Sequence, residues 1–383
     1  MAESLDELVM SRRVLVAVGA GGVGKTTTAA ALGVAAARRG KRVLCLTIDP
    51  ARRLAESLGL QTLSADEQAV APELFQRAGM PLQGSLTAMM LDTKRTFDEL
   101  VVKHSSSPER AQRLLSNRLY RYVSTALAGT QEYMAMEKLV AVQSDPRFDL
   151  IILDTPPTAN ALDFLDAPGR LAEAIDSAAM RWFVQAFEST GKLSINLLAR
   201  SAGIVLRGLG KITGGDFLHA MAEFITELND LFGGFKQRAA NVEATLRSPE
   251  VSFVLVTSPA PMSIQEVLFF SDRLAEACMP RGAFVVNRFR MPPPRADDPP
   301  SIASAAEAVA RHGLKLEEDG PQRLVRAHAD AVMLARLDAL HVQLLDERAK
   351  GRVPIVRVPE LTTDVHDLPL LGEVAETLMS GGV

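Results

Sequence analysis

The sequence predicts an α/β fold with a doubly wound, mostly parallel β-sheet core and an inserted helical subdomain. Three observations lead to this prediction. Short apolar, β-branched runs recur without strict alternation, which is typical of parallel strands covered by helices on both faces. A glycine-rich turn joins the first run to an alanine-rich helix. Between Leu153 and Val251 there is no such run, and the mostly helical pattern there indicates the insertion.

Six runs are predicted to be strands of the core sheet. They are Val14–Val18, Val43–Ile48, Leu150–Leu153, Val251–Thr257, Ala283–Val286 and Val353–Val358. Residues 1–383 are predicted to form a single domain, with its core at 11–60, 145–165 and 250–383 and the helical subdomain mainly at 92–140 and 166–247. The proline-rich residues 291–300 are predicted to be a loop, and residues 301–350 to be helical.

The turn after the first predicted strand carries the strongest chemical signal. Residues 19–26 read GAGGVGKT and match the phosphate-binding pattern G-x-x-x-x-G-K-[ST] between a strand and a helix. We expect positive φ at Gly21, Gly22 and Gly24, so that successive amides form an anion cradle at the positive end of the helix dipole. Lys25 would reach the phosphates, and the Thr26 hydroxyl would ligate Mg²⁺. The predicted nucleotide-binding residues of this loop are Gly21, Gly22, Val23, Gly24, Lys25, Thr26 and Thr27.

Two aspartates follow predicted strands and are expected beside this loop. Asp49 ends the second predicted strand and Asp154 the third, and ligands of parallel sheets gather at the carboxyl ends of strands. Asp154 follows an apolar run, as a Mg²⁺-coordinating carboxylate does, which leaves Asp49 to orient the attacking water. The alternative for each is an aspartate that caps a helix.

Composition excludes several other classes. With 42 basic and 46 acidic residues, the net charge of −4 argues against nucleic-acid binding. The two cysteines, Cys45 and Cys278, lie in apolar stretches without partners nearby, so neither a disulfide framework nor a zinc cluster is expected. The N-terminal residues lack the apolar stretch of a secretory signal, and no run approaches the roughly 20 apolar residues of a membrane span. We expect a cytoplasmic protein, with a peripheral position at a membrane left open.

Two segments of the predicted subdomain are amphipathic. Residues 217–235 repeat large apolar side chains at intervals of three and four. This stripe either packs into the subdomain or offers an apolar surface to a client. Residues 192–211 carry basic side chains without acidic ones, and would either lie on anionic lipid or present an ordinary solvated face.

Taken together, the motifs resemble those of the ArsA/GET ATPases, the arsenite-pump and tail-anchored-protein-targeting branch of the P-loop proteins related to MinD and ParA. The resemblance covers most of the chain. It rests on GAGGVGKTT at 19–27, TIDPARRL at 47–54, DTPPTANALDFL at 154–165, VTSPAPMSIQE at 256–266, VVNRF at 285–289 and VPIVRVPEL at 353–361.

The resemblance implies roles for matched residues. Asp49 would lie in switch I and position the hydrolytic water, and Asn287 would read adenine. Residues of the loop that closes over the base would be Pro359 and Glu360. Switch II would comprise Asp154, Thr155, Pro156, Pro157 and Thr158. The resemblance further implies ATP and Mg²⁺ as cofactors, and a dimer whose ATP-driven closure brings two helical subdomains together.

The sequence departs from the family pattern at several positions that bear on the dimer, on zinc and on arsenite. Ala20 stands where the family has a signature lysine that contacts phosphate across the dimer, so a partner subunit would have to supply that charge. Asn160 replaces a frequent histidine. Residues 291–310 contain no CxxC pair, so no dimer-bridging zinc is expected. Arsenite needs several thiolates, and the chain has two scattered cysteines.

The sequence is therefore interpreted as a Mg²⁺-dependent ATPase that acts as a dimeric switch, with Lys25 and Asp49 as its catalytic residues. Its helical subdomains would hold an apolar or membrane-associated client. The dimer would be a homodimer or a heterodimer with a paralogue. The alternatives are an ATP-binding but weakly hydrolysing subunit of such a heterodimer, an arsenite-pump ATPase, and a ParA-like partitioning protein, which would need a basic surface.

Overall fold

The computed structural model describes residues 3–48, 53–117, 130–155, 235–315 and 317–382, together with positions 120, 121, 124 and 224. Several predicted features lie outside these residues. They are Asp49, Pro156, Pro157, Thr158, Asn160, the basic segment at 192–211 and nearly all of the apolar stripe at 217–235.

Eight strands form one sheet at the centre of the described structure. Their bounds are β1 Val14–Val18, β2 Arg42–Thr47, β3 Gln68–Ala69, β4 Ser85–Met90, β5 Leu150–Asp154, β6 Val251–Thr257, β7 Arg281–Phe289 and β8 Ile355–Pro359. The strand order is β3-β4-β2-β5-β1-β6-β7-β8. All neighbouring pairs are parallel except β3 with β4. The predicted doubly wound α/β class is confirmed.

Twelve helices are described around the sheet. Their bounds are α1 Leu5–Ser11, α2 Lys25–Arg38, α3 Arg53–Ser57, α4 Pro72–Arg77, α5 Thr93–His104, α6 Pro108–Ser116, α7 Thr130–Gln143, α8 Phe235–Leu246, α9 Pro261–Glu276, α10 Ile302–Arg311, α11 Gly320–Ala349 and α12 Leu368–Met379. Short polar side chains start several of them by accepting a hydrogen bond from a first-turn amide. These capping residues are Ser4, Asp92, Ser107, Ser301 and Asp367.

Each face of the sheet is covered by its own apolar core. In β1, Val14, Val16 and Val18 face one core, and Leu15 and Ala17 face the other. The first core is closed by α5 to α9 and α11, and the second by α1 to α4 and α12. Burial on both faces explains why the strands are apolar throughout rather than alternating.

Small residues let α2 lie close against the sheet. A Cβ placed on Gly33 would come within 2.6 Å of the Cys45 Sγ and 3.2 Å of Leu86 Cδ1. The buried alanines of α2 continue this flat contact. The close packing fixes the beginning of α2 at Lys25, just beyond the carboxyl end of β1.

The prediction missed two strands. β3 has only two residues, and β4 reads SLTAMM, a weakly β-branched run that pairs in parallel with β2. Asp154 consequently ends the fifth strand rather than the third. β3, β4, α4 and all of α1 except Ser11 lie outside the ranges predicted for the core, whereas the loop at 291–300 and the helices after residue 301 are as predicted. The division into core and helical subdomain stays a prediction.

None of the helices within the described residues combines the length and the apolar character that crossing a bilayer requires.

Candidate nucleotide-binding site

The glycine-rich turn between β1 and α2 has the backbone that a phosphate cradle needs. Positive φ occurs at Gly19 (154°), Gly22 (77°) and Gly24 (95°). The prediction of positive φ was therefore wrong for Gly21, and Gly19 takes its place. A Cβ on Gly19 would lie 2.0 Å from the Val256 carbonyl oxygen, so close packing of the turn on β6 demands glycine there.

Lys25 is the first residue of α2 and is buried, with 6% of it exposed. Its Nζ donates a hydrogen bond to the Ala20 carbonyl oxygen at 2.7 Å. This bond keeps the ammonium against the turn, where phosphate oxygens would bind. Gly24 precedes it as the N-cap, without a side chain between the helix amides and a ligand. Cationic charge and helix dipole therefore act at the same place.

The predicted Mg²⁺ ligands Thr26 and Asp154 lie together at the carboxyl end of the sheet. The Thr26 Oγ1 donates to Asp154 Oδ2 at 2.9 Å, although the two residues are 128 positions apart. A second hydroxyl, from Thr47, donates to the same oxygen at 3.0 Å. Asp154 is almost fully buried, and two neutral donors stabilise its charge there.

Thr47 is a site residue that the sequence reasoning missed. It ends β2 and lies beside Asp154 in the parallel ladder between β2 and β5. The available signal was a threonine two positions before Asp49, within the TIDPARRL motif. Its significance depends on the register between strands that are distant in sequence.

Thr155, the second residue of the predicted switch II, is anchored to β1. Its Oγ1 donates to the Ala17 carbonyl oxygen at 2.8 Å, and its backbone N–H donates to the same oxygen at 3.4 Å. The start of this segment is therefore fixed beside the glycine-rich turn.

Asn287 lies against the glycine-rich turn from the β7 side. Its Nδ2 donates to the Val23 carbonyl oxygen at 3.0 Å. The contact is close, because a Cβ on Gly24 would lie 2.1 Å from that Nδ2. Pro359 pairs with Phe289 in the ladder between β7 and β8, and the Glu360 amide donates to the Phe289 carbonyl oxygen at 2.9 Å.

The residues predicted for the base therefore converge from two neighbouring strands. Asn287 comes from β7, and Pro359 and Glu360 come from the end of β8. The structure brings all of them to the end of the sheet that carries the glycine-rich turn. Asp49, Pro156, Pro157 and Thr158 lie outside the described residues, so their positions add nothing to this geometry.

The cysteines are both free, but their surroundings differ. Burial raises the pKa of the Cys45 thiol to about 12, and the nearby Asp154 charge adds to the effect. Cys45 is therefore a core residue without thiolate chemistry. Cys278 is exposed, at φ 56°, although it follows an apolar stretch of the sequence.

The chain also matches known proteins. A family model described as anion-transporting ATPase, of the ArsA type, matches residues 12–315. The chain belongs to this family. The match includes the glycine-rich turn, Asp154 and Asn287, while Pro359 and Glu360 lie beyond it. The predicted ArsA/GET membership is confirmed, and with it the prediction that the chain is an ATPase.

Three curated relatives show the extent of the similarity. The ATPase GET3 of Malassezia globosa is 24% identical over 279 residues, which cover 72% of each chain. The ATPase GET3 of Podospora anserina is 26% identical over 284 residues, or 73% of this chain and 74% of the relative. The ATPase get3 of Pyrenophora tritici-repentis is 23% identical over 349 residues, which cover 90% of this chain and 88% of the relative.

Proposed function

We propose that this ATPase is a Mg²⁺-dependent dimeric switch that couples ATP hydrolysis to the opening and closing of helical subdomains around an apolar or membrane-associated client. The observation that carries the nucleotide part is the junction of Thr26 and Asp154 at 2.9 Å beside a buried Lys25. The beginning of α2 supplies a hydroxyl and an ammonium, and the end of β5 supplies a carboxylate, around one glycine-rich turn.

In this proposal the protein accelerates hydrolysis by positioning the reacting groups and by stabilising the charge that develops on them. The amides of residues 21–27 bind the phosphates, and Lys25 stabilises negative charge that develops on the transferred group. Asp49 orients the attacking water. Asn287 and the Pro359–Glu360 segment enclose the base, which sets the choice of nucleotide.

The residues present fit a magnesium ion. Mg²⁺ prefers oxygen ligands and is usually held by one or two protein oxygens together with substrate phosphates. Thr26 and Asp154 supply such oxygens, and hydrogen bonds from Thr26 and Thr47 hold the Asp154 carboxylate in place. Within the described ranges no three histidine, cysteine, aspartate or glutamate side chains group as a metal site, so nucleotide oxygens would complete the coordination. The ion, once bound, neutralises phosphate charge.

Turnover and binding of ATP test the nucleotide part. Lys25→Ala is expected to abolish hydrolysis and to weaken ATP binding. Asp49→Asn is expected to abolish hydrolysis while ATP binding by equilibrium dialysis stays near that of the wild type. Asp330→Asn, an exposed change on α11, serves as the control. Normal turnover in Asp49→Asn would remove this residue from the mechanism, and a wild-type chain without Mg·ATP uptake would refute the proposal.

An exposed apolar seam on α11 supports the dimer. Met333, Leu337, Leu340 and Leu344 are between 41% and 58% exposed. Their spacing of four, three and four is that of a helix packed along a second helix. Leu337→Lys with Leu340→Lys should convert an ATP-bound dimer to a monomer in sedimentation. Leu324→Lys, exposed on the same helix but off this spacing, should leave the dimer intact. Equal sedimentation of both variants and the wild type would contradict this role.

The second candidate is a weakly hydrolysing subunit paired with an active paralogue. Ala20 favours it, because its short side chain packs against the core beside the turn and offers no charge to a partner site. Hydrolysis by the chain alone and after addition of a paralogue distinguishes the two. The arsenite-pump alternative has less support, because one of the two cysteines of this chain is buried and protonated. Free cysteines agree with the proposed cytoplasmic location, at a membrane surface when a client requires it.

A further inference from the structure

One buried carboxylate lies outside the nucleotide site, on the longest described helix. Asp338 lies on the inward face of α11, between apolar neighbours, and is 3% exposed. Among the buried residues that the structure describes on this helix, it alone is charged. The others are Gly320, Val332, Ala335, Val342 and Leu345. A carboxylate in such a place costs desolvation energy, and an apolar residue of similar volume is often no less stabilising.

The partner of Asp338 is the residue that follows β7. Asp338 Oδ2 accepts a hydrogen bond from the Arg290 backbone amide at 3.0 Å and lies 3.3 Å from the Arg290 Nε. The same Nε lies 3.7 Å from Glu360 Oε2. The carboxylate therefore fixes the backbone at the end of β7 and, through one guanidinium, the adjacent end of β8.

The segment that this clamp holds is irregular. Val286 pairs with Arg357 and Phe289 with Pro359, so two residues of β7 oppose one residue of β8. This is a β-bulge, which re-aims a side chain and leaves the ladder locally weaker. Its second residue, Arg288, has φ 58°, a conformation that non-glycine residues rarely adopt.

The side chain that the bulge aims is Asn287. It reaches the Val23 carbonyl oxygen at 3.0 Å and touches Gly24. The ladder holds the bulge on its amino side, and Asp338 holds it on its carboxyl side. Since the conformation of Arg288 is unfavourable by itself, both supports are needed to keep Asn287 against the turn.

We propose that Asp338 is a positioning residue that holds the Asn287 bulge against the glycine-rich turn and thereby sets the affinity for the base of the nucleotide. This inference rests on the proposed function, in which Asn287 reads the base. Asp338 itself contacts no nucleotide. It links α11, whose outer face carries the apolar seam, to the base side of the site.

Binding of Mg·ATP, Mg·GTP and Mg·tripolyphosphate to the full chain tests the proposal, because tripolyphosphate has no base. Asp338→Leu keeps the branching of the side chain, removes its charge and its acceptor oxygens, and leaves the 39% exposed Arg290 side chain able to reach water. We expect its dissociation constant for ATP to rise about tenfold, in keeping with the loss of a hydrogen bond to a charged group. The constant for tripolyphosphate should stay within about twofold of the wild type, and preference for ATP over GTP should shrink.

Asp338→Asn retains an oxygen that accepts from the Arg290 amide, and should restore most of the ATP affinity. If Asp338→Leu lacks a cooperative thermal transition, the smaller Asp338→Ala, which also removes the acceptor, carries the test with the same expected and contradicting outcomes. Asp346→Leu is the matched control, since Asp346 lies on the same helix and pairs with Arg357 at 3.0 Å on the surface. It should bind all three ligands as the wild type does.

The possible failures are separable. Unchanged ATP affinity in Asp338→Leu, or equal losses for ATP and tripolyphosphate, would overturn the role of Asp338 and leave the proposed function standing. A wild-type chain that binds neither ligand would overturn the proposed function, and this inference with it.

Discussion

The contact between Gly24 and Asn287 can be measured through substitutions at two glycines of the same turn. Gly22 and Gly24 both have positive φ, at 77° and 95°. An alanine at either position bears the cost of a left-handed conformation, about 1–2 kcal/mol. A Cβ on Gly22 meets no atom within 4 Å, whereas on Gly24 it lies 2.1 Å from Asn287 Nδ2. Gly22→Ala therefore measures the cost of the left-handed backbone conformation alone.

Gly24→Ala should cost more, because the Asn287 amide must leave its place. The displaced side chain loses its bond to the Val23 carbonyl, about 0.5–1.5 kcal/mol. The free energy of unfolding should fall by about 1.5–3.5 kcal/mol in total. In an Asn287→Ala background nothing remains to displace, so Gly24→Ala should then cost about the same as Gly22→Ala.

Urea unfolding of the four chains of this cycle, followed by far-ultraviolet circular dichroism, measures the coupling between the two residues. We expect a coupling of about 1 kcal/mol, and Gly22→Ala with Asn287→Ala should be additive. Additivity within about 0.3–0.5 kcal/mol for Gly24 as well would refute the contact between the turn and β7.

Three further predictions concern single side chains. Thr47→Val removes one hydroxyl donor to the Asp154 carboxylate, so half-maximal hydrolysis should need roughly tenfold more Mg²⁺. Thr47→Ser keeps the hydroxyl and should behave as the wild type. Identical Mg²⁺ dependence of hydrolysis in Thr47→Val and the wild type would contradict a role of Thr47 in the magnesium site. A maleimide should label the native chain at the exposed Cys278. It should reach Cys45, whose thiol has its pKa raised to about 12 by burial, only when the chain is unfolded. Labelling of native Cys278→Ser would contradict the burial of Cys45. Hydrogen bonds from Arg42 hold the pKa of Asp149 below its usual value, so Asp149→Asn should lower the free energy of unfolding at pH 7. The difference in free energy of unfolding between Asp149→Asn and the wild type should shrink as the pH falls below about 4, the pKa of the unfolded state, toward the lower pKa of the folded state. An equal difference at pH 7 and pH 3 would refute a stabilising charge on Asp149.

The strands that the sequence predicts well are those whose apolar, β-branched content is high over their whole length. β1 and β6 are examples, since Val14–Val18 and Val251–Thr257 are observed with the predicted bounds. β4 was missed because SLTAMM has little intrinsic strand preference and owes its conformation to parallel pairing with β2. Tertiary pairing of this kind leaves almost no local signal.

The site shows the same division between local and long-range information. The cradle from Gly19 to Thr26 is continuous in sequence, so its pattern predicts its loop, its helix and its lysine. Thr47 was missed because its bond to Asp154 depends on the register of two strands more than one hundred residues apart. Spacing along the chain contains no such register.

Asp338 did leave a sequence signal, although of a different kind. It falls in helical phase with Val332, Ala335, Val342 and Leu345, so the apolar face of α11 contains one acidic position. An interruption of this sort indicates a buried polar contact, but the partner is a backbone amide, and amides have no residue identity to match. The bulge that the contact secures is equally invisible, because it consists of one additional residue opposite β8. Sequence can therefore predict which chemical groups of this ATPase gather around its glycine-rich turn, whereas the supports that orient them follow only from pairing in three dimensions.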